Sequence, residues 1–353
     1  MVSQTGEKVI KDHHLSAIKT PFDSPIDGQN PSNLGQTETY GMSDQLTNTS
    51  KSIIAASIRE STRQKYKSYE KRWKTYCYDN NIVEVSATNV VNFLSMLYEN
   101  NNSYSAIKTA KSAISHIVCL PPFRSVGEHP LVIKFMKGVF NLRPPKTKTG
   151  FIWDVSILFD YFKLQDVNDK LSFYELTCKT LCLLLLLNGA RINTAFNFQV
   201  DEIIANEIGV TITPSNVLKH STQNRRGDVF KYSAYLENSK LCVVQAMNTY
   251  LARRNRLVPK EVTKLFITTK KPYRAASSDT LRRWVKNTLT KAGIFNFSAH
   301  SCRSASTSKA MALNIDLEEI LRLACWKRES TFFKHYERYI YKSIMDFNII
   351  VDN

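Results

Sequence analysis

The 353-residue sequence has no apolar run long enough to cross a bilayer. Its longest, Leu181 to Leu187, is far short of the roughly 20 residues a membrane helix needs. No signal-peptide pattern opens the chain. The cysteines, at positions 77, 119, 178, 182, 242, 302 and 325, form no CxxC pair and no Cys/His cluster at zinc-ligand spacing, which excludes the common structural zinc modules. Their odd number and their scatter suit a reducing, intracellular setting, the nucleus if the host is a eukaryote. Cys178 and Cys182, one helical turn apart in an apolar stretch, suit buried thiols. There is no internal repeat.

Acidic charge is also scarce. Lys and Arg number 48 against 31 Asp and Glu, a net charge of +17. Residues 1–50 hold three Lys and six acids, so the remainder carries +20. A folded part this basic attracts polyanions, nucleic acid first. Charge alone leaves an ordinary basic soluble protein equally open. Hydrophobic residues at 43 %, over this length, suffice for two domains with real cores.

Residues 1–50 are polar, rich in Ser, Thr, Asn, Gln, Pro and Gly, and without periodicity, which predicts disorder. Ser61 with Gln64 fits a capping box at the start of the first helix. Tyr66, Tyr69, Trp73, Tyr76 and Cys77 follow at helical spacing, with Lys67, Lys71 and Lys74 opposite. Further helical patterns run through Val90–Leu97, through Ile107–Val118, and from Pro130, well placed as a first helical residue, to Phe140. Residues 51–142 therefore read as an all-helical bundle. The linker 143–150 holds two prolines and three basic residues. The domain 151–353 opens with helices at 154–165 and 171–188. Short β-prone runs follow at 202–204, 209–213 and 229–235, with the polar turn Lys219–Asp228 between the last two. Helices are expected at 240–254, at 279–292 and from 299 to the end, with a short strand at Leu265–Thr268. The fold class is mainly α with a small three-stranded antiparallel sheet: an N-terminal helical bundle and a C-terminal mixed α+β domain.

Three segments concentrate residues suited to phosphoryl transfer. Arg191 follows an apolar helix and a glycine in Gly189-Ala-Arg191. Lys219 lies 28 residues later in a polar turn, where His220, Arg225 and Arg226 are possible substitutes. His300 and Arg303 are three apart, one helical face. Trp326 comes 23 residues after Arg303, and Tyr336 follows in Trp326-Lys-Arg-Glu-Ser-Thr-Phe-Phe-Lys-His-Tyr336. Taken singly, Arg191 reads equally as a surface arginine, His300 as a core histidine and Trp326 as plain core.

This order of parts resembles the signature of the tyrosine recombinase, or phage-integrase, family, and 51–345 fits that family's two-domain plan. The stretch from His300 to Ala310 with the Trp326–Phe332 cluster looks most like recombinases of eukaryotic mobile elements. The resemblance implies a helical core-binding domain and a catalytic domain clamping duplex DNA, with a dimer on each site and a tetramer in the synapse. It implies neither metal nor cofactor, no membrane, and site-specific cleavage and rejoining of DNA through a 3′-phosphotyrosine. Arg191 and Arg303 would clamp the phosphate oxygens bidentately. His300 would act as general base, Lys219 as general acid, Trp326 as an indole N–H donor and Tyr336 as nucleophile. A non-catalytic DNA-binding derivative and a type IB topoisomerase-like enzyme are the alternatives. Two positions depart from the family pattern. Thr194 stands where an acid is common. The nucleophile is usually nine residues after the His/Trp position, yet here His335 is ninth and Tyr336 tenth, so Tyr339 and Tyr341 remain candidates. The apolar segment Ile344–Val351 suggests a docking tail.

Overall fold

The computed structural model describes residues 46–145, 150–215, 229–326 and 329–341. The chain divides into two compact units, Met1–Thr147 and Lys148–Asn353. The polar segment 1–45, the linker residues 146–149, the turn holding Lys219 and the apolar tail from 342 lie outside the described residues. Among the described residues no helix is long and apolar enough to cross a membrane.

The first unit is helical: α1 (Asn48–Ala55), α2 (Glu60–Asp79), α3 (Ala87–Glu99), α4 (Tyr104–Ile114) and α5 (Pro130–Leu142). The hydroxyls of Thr47, Ser86 and Ser103 accept backbone N–H groups three residues on, and Pro130 opens α5. Helix therefore begins at Asn48, inside the segment expected to be disordered, because Thr47 caps it. The expected capping box at Ser61 and Gln64 is absent. Arg59 is the extended residue before α2, so Ser61 is already inside the helix, and the Gln64 amide donates to the Glu60 carboxylate instead. The aromatic stripe of α2 faces inward as its spacing requires. Trp73 is buried with its ring on edge to Phe93, 5.2 Å between centroids, while Lys67, Lys71 and Lys74 are exposed. Ile107, Ile114, Val132 and Val139 complete this core.

The second unit contains β1 (Phe151–Trp153), α6 (Val155–Leu164), α7 (Phe173–Leu187), α8 (Ile192–Asn197), β2 (Ile203–Ala205), β3 (Gly209–Ile212), β4 (Phe230–Ser233), α9 (Val243–Asn255), α10 (Ser278–Lys291), α11 (Ser301–Ala312), α12 (Leu317–Leu323), α13 (Glu329–His335) and β5 (Tyr339–Tyr341). Strands β2, β3 and β4 form the antiparallel sheet expected from the change of period. Phe230 and Tyr232 alternate inward along β4, and the Tyr232 hydroxyl donates to the Leu184 carbonyl at 3.3 Å, pinning the sheet to α7. The fold is thus mainly α with a small antiparallel sheet.

Two expectations fail. Leu265–Thr268 is not a strand. Leu265, Phe266 and Ile267 are buried, but their main-chain bonds go to scattered residues rather than to one strand. The Leu265 N–H donates to the Phe198 carbonyl, the Thr268 N–H to the Arg274 carbonyl, and the Phe266 carbonyl accepts from the Ala276 N–H, with a single isolated bridge from Ile267 to Ala275. The Leu265 carbonyl is instead taken by the Tyr250 hydroxyl at 2.9 Å and by Arg254 Nε at 3.2 Å. Nor does helix run to the end: Tyr339–Tyr341 is a strand, paired in parallel with β1, Phe151 opposite Tyr339.

Helix α7 is the axis of this unit, buried from Leu176 to Leu186, with α9, α10 and α11 packed around it. It ends in a tight turn where Gly189 has φ +50°, and a Cβ there would stand 3.3 Å from the Thr307 methyl on α11. Lys179, in the middle of α7, is fully buried, and its Nζ has no hydrogen-bond partner among the described residues. Burial, with the Lys240 charge adding to it, pulls the Lys179 amine down to about 8 from 10.5.

Lys179→Met is expected to stabilise the fold. Below pH 8 folded and unfolded chains both carry the charge, and its desolvation costs roughly 3 kcal/mol at about 1.4 kcal/mol per pH unit. From pH 8 to 10.5 the unfolded chain binds more protons, so the unsubstituted protein gains stability with pH and the advantage of methionine shrinks. Urea unfolding at pH 7 and at pH 10 measures both. Gly189→Ala should cost about 1–2 kcal/mol, because a side chain is strained at positive φ. It is read as a lower urea midpoint at unchanged slope.

Candidate active site

Helix α11 organises the site, and β1 and α6 hold it in place. The Trp153 indole donates to the Ser301 hydroxyl at 2.8 Å, and Lys309 pairs with the buried Asp154 at 3.1 Å. Burial alone would raise the Asp154 carboxyl, but the Ser156 N–H and hydroxyl and the Lys309 ammonium outweigh it and hold it below the usual range.

Arg303, in the first turn of α11, is only 2 % exposed. One terminal nitrogen donates to the Gly189 carbonyl, in the turn between α7 and α8, and the other to the Ala324 carbonyl, after α12. Its carbon Cζ lies 4.2 Å from the centre of the Trp326 ring and 5.2 Å from that of Tyr336. Its Nε is buried and has no acceptor among the described residues. Burial first, and then the charge of Arg191, draw the Arg303 guanidinium down to about 10, with Tyr336 pulling the other way. It is still charged at neutral pH. Arg191 reaches the same small cleft, which Thr194, Phe230 and Cys325 also line. It occupies the N-cap position of α8 with extended backbone. Thr194, where the resemblance leads one to expect an acid, is buried there and carries no charge against either arginine.

The other expected residues gather around Arg303. His300 is the residue before α11, and its Nε2 is 3.5 Å from the Tyr336 hydroxyl, at the outer limit of a hydrogen bond. Trp326 follows Cys325, which has φ +56°, and packs its ring 4.5 Å from that of Tyr336. Its indole N–H is buried with no acceptor among the described residues. Tyr336 leaves the end of α13 and is 8 % exposed, in a small core with Ile320, Ala324, Trp326 and Phe332. Tyr339 lies in β5, 79 % exposed and against Phe151. The side chain of Tyr341 and the whole of Lys219 lie outside the described residues. Arg191, His300, Arg303, Trp326 and Tyr336 therefore come together, from segments up to 145 positions apart.

Sequence reasoning missed the main-chain partners. The carbonyls of Gly189 and Ala324 carry no residue-type signal; only the glycine, where a turn needs positive φ, pointed to the first. Two neighbouring guanidiniums and an indole N–H stand beside a phenol, and Arg303 Nε and the indole N–H lack acceptors among the described residues, a set of donors suited to an anion bearing several oxygens. Among the described residues no cluster of three or more His, Cys, Asp or Glu could hold a metal ion.

No family profile matches the sequence, and no curated protein matches it. Solved structures do match. The integrase of the Tn1549 transposon (residues 82–397), in complex with transposon right end DNA, aligns at TM-score 0.53 and 11 % identity over 86 % of this chain and 96 % of that one. The same integrase with circular intermediate DNA gives 0.53 and 12 % over 86 % and 97 %. A lambda integrase dimer on a core site gives 0.49 and 14 % over 83 % and 94 %. Identity this low speaks for the fold alone, and the match to the Tn1549 integrase spans nearly all of that chain. The chain has the fold of the tyrosine recombinases.

Proposed function

We propose that this protein is a site-specific DNA recombinase that cleaves and rejoins duplex DNA through Tyr336. The observation that carries this reading is a pair of buried donors without acceptors among the described residues, Arg303 Nε and Trp326 Nε1, on side chains that pack against the Tyr336 ring beside a second guanidinium. A phosphodiester fits this set. Its pentacoordinate transition state gathers charge on the equatorial oxygens, and fixed donors aimed there stabilise that state more than the ground state.

In the proposed reaction Tyr336 gives its proton to His300 Nε2 and its oxygen attacks the phosphorus. The bond from phosphorus to the 5′ oxygen breaks, and Lys219 protonates the leaving oxygen. A 3′-phosphotyrosine is formed. One phosphoester bond replaces another, so the reverse step rejoins a strand without ATP. The arginines supply the charge that a metal ion supplies in other phosphoryl transfers. The residues 51–142, with Lys67, Lys71 and Lys74 exposed on α2, are assigned to the DNA backbone as a core-binding domain, and 151–353 to catalysis. A dimer on each site and a tetramer in the synapse complete the reading, with an intracellular location, nuclear in a eukaryote.

The test uses a pool of nicked duplexes with a randomised centre. The unchanged protein is expected to form a covalent adduct that survives denaturing electrophoresis and forms equally well in EDTA. The adduct should vanish in Tyr336→Phe and form at least roughly 100-fold more slowly in Arg191→Ala. Persistence in Tyr336→Phe, or a requirement for a divalent metal, would overturn the proposal. Affinity for the recovered duplex should fall linearly on a log–log plot against salt as counterions are released.

A further inference from the structure

We infer that Ser308 is a positioning residue for Tyr336, holding the nucleophile's main chain at a fixed distance from the groups that bind the phosphate. The inference rests on the reading of Tyr336 as nucleophile. It starts from a gap in main-chain hydrogen bonding. Helix α13 ends when the Phe332 carbonyl takes the N–H groups of Tyr336 and Glu337, at 2.8 and 3.0 Å. Strand β5 is not joined until the Tyr339 N–H reaches the Gly150 carbonyl at 3.0 Å. Between them the Tyr336 carbonyl and the Arg338 N–H belong to neither element, and both need partners.

Ser308 supplies both. Its hydroxyl donates to the Tyr336 carbonyl at 2.9 Å and accepts from the Arg338 N–H at 3.1 Å. The side chain is buried, 4 % exposed, so water does not compete for either bond. This is not the usual habit of a helical hydroxyl, which bonds back to the carbonyl four residues earlier. The neighbouring Thr307 does that, donating to the Arg303 carbonyl at 2.8 Å. A hydroxyl has one proton to give, and Ser308 gives its proton to the segment that carries the nucleophile.

His300 stands just before α11, Arg303 lies in its first turn and Ser308 five residues beyond Arg303, a rise of about 7.5 Å. A rigid helix thus fixes the phosphate-binding guanidinium at one level and the main chain of Tyr336 at another. A hydroxyl at 308 sets the reach of the phenol, and a misplacement of about 1 Å at a reacting atom costs on the order of 100-fold in rate.

The experiment measures single-turnover adduct formation on the nicked duplex recovered from the randomised pool, over a range of duplex concentrations. Ser308→Ala should lower the rate at saturating duplex by roughly 100-fold and leave the half-saturating concentration unchanged. Hydrogen exchange in the peptide covering 333–341 should accelerate, with no equal change in α7. Ser308→Thr, which keeps the hydroxyl, should recover most of the rate. If Ser308→Ala does not fold, Ser308→Cys, similar in size but a weak hydrogen-bonding group, is held to the same criteria. A saturating rate equal to that of the unchanged protein overturns the inference. So does a loss that Ser308→Thr does not recover, or one matched by exchange throughout the domain. Tyr336→Phe separates the two layers: an adduct that persists there removes the nucleophile itself, whereas its loss beside an unaffected Ser308→Ala removes only the role of Ser308.

Discussion

The guanidinium of Arg303 is buried almost completely, and the geometry of the site follows from how that charge is accommodated. Moving such an ion out of water costs several kcal/mol even after relaxation. Hydrogen bonds from a charged group return about 1.5–3 kcal/mol each. Arg303 makes two, to main-chain carbonyls of Gly189 and Ala324, and lies against the faces of Trp326 and Tyr336. These partners come from three connections in the chain, Ala324 and Trp326 sharing one of them. The turn after α7, the turn after α12 and the residue after α13 are drawn to one point because the buried charge needs all three. Positive φ at Gly189 and at Cys325 marks the two turns that bend for it.

That accommodation is incomplete. Arg191 brings a second positive charge close to Arg303, and among the described residues no acidic side chain lines their cleft, with Thr194 where an acid would relieve the repulsion. Arg303 Nε and Trp326 Nε1 are buried without acceptors among the described residues. A protein that only had to fold would gain from an apolar side chain at these positions. The cost is intelligible if the acceptor is a ligand: an anion with several oxygens discharges the repulsion and satisfies both donors together. Structural need and chemical capacity thus point to the same group.

Helix α7 supports the arrangement from beneath. Buried along nearly its whole length, it fixes where Gly189 turns and where α11 packs. It tolerates Lys179 in that core, an amine pulled down to about 8, at a cost that no hydrogen bond among the described residues offsets. Nothing in the structure explains that lysine.

Local chemistry made most helices readable. Apolar spacing placed α2 to α7 and α9 to α11, and Pro130 marked the start of α5. The β-prone runs gave the antiparallel sheet, because alternation along β3 and β4 is a local consequence of one buried face. Where a boundary depended on a single residue's backbone, as at Arg59 before α2, the reading slipped. Pairing across long separations was not readable. Strands β1 and β5 are three residues each, and what makes them strands is each other. The apolar run at Leu265–Thr268 divided its bonds among the main chain of Phe198, Arg274 and Ala276 and the side chains of Tyr250 and Arg254, rather than pairing with one strand. For the site, the sequence by itself determined the residue types: two arginines, a histidine, a tryptophan and a tyrosine, in a fixed order. Residue type decides what a group can donate, accept or release, and that needs no coordinates. Only the tertiary structure decided that Tyr336, not the exposed Tyr339, stands beside Arg303 and His300. It also decided that two carbonyls and a serine hydroxyl hold the parts in place, since main-chain partners and long-range distances leave no trace in the order of side chains.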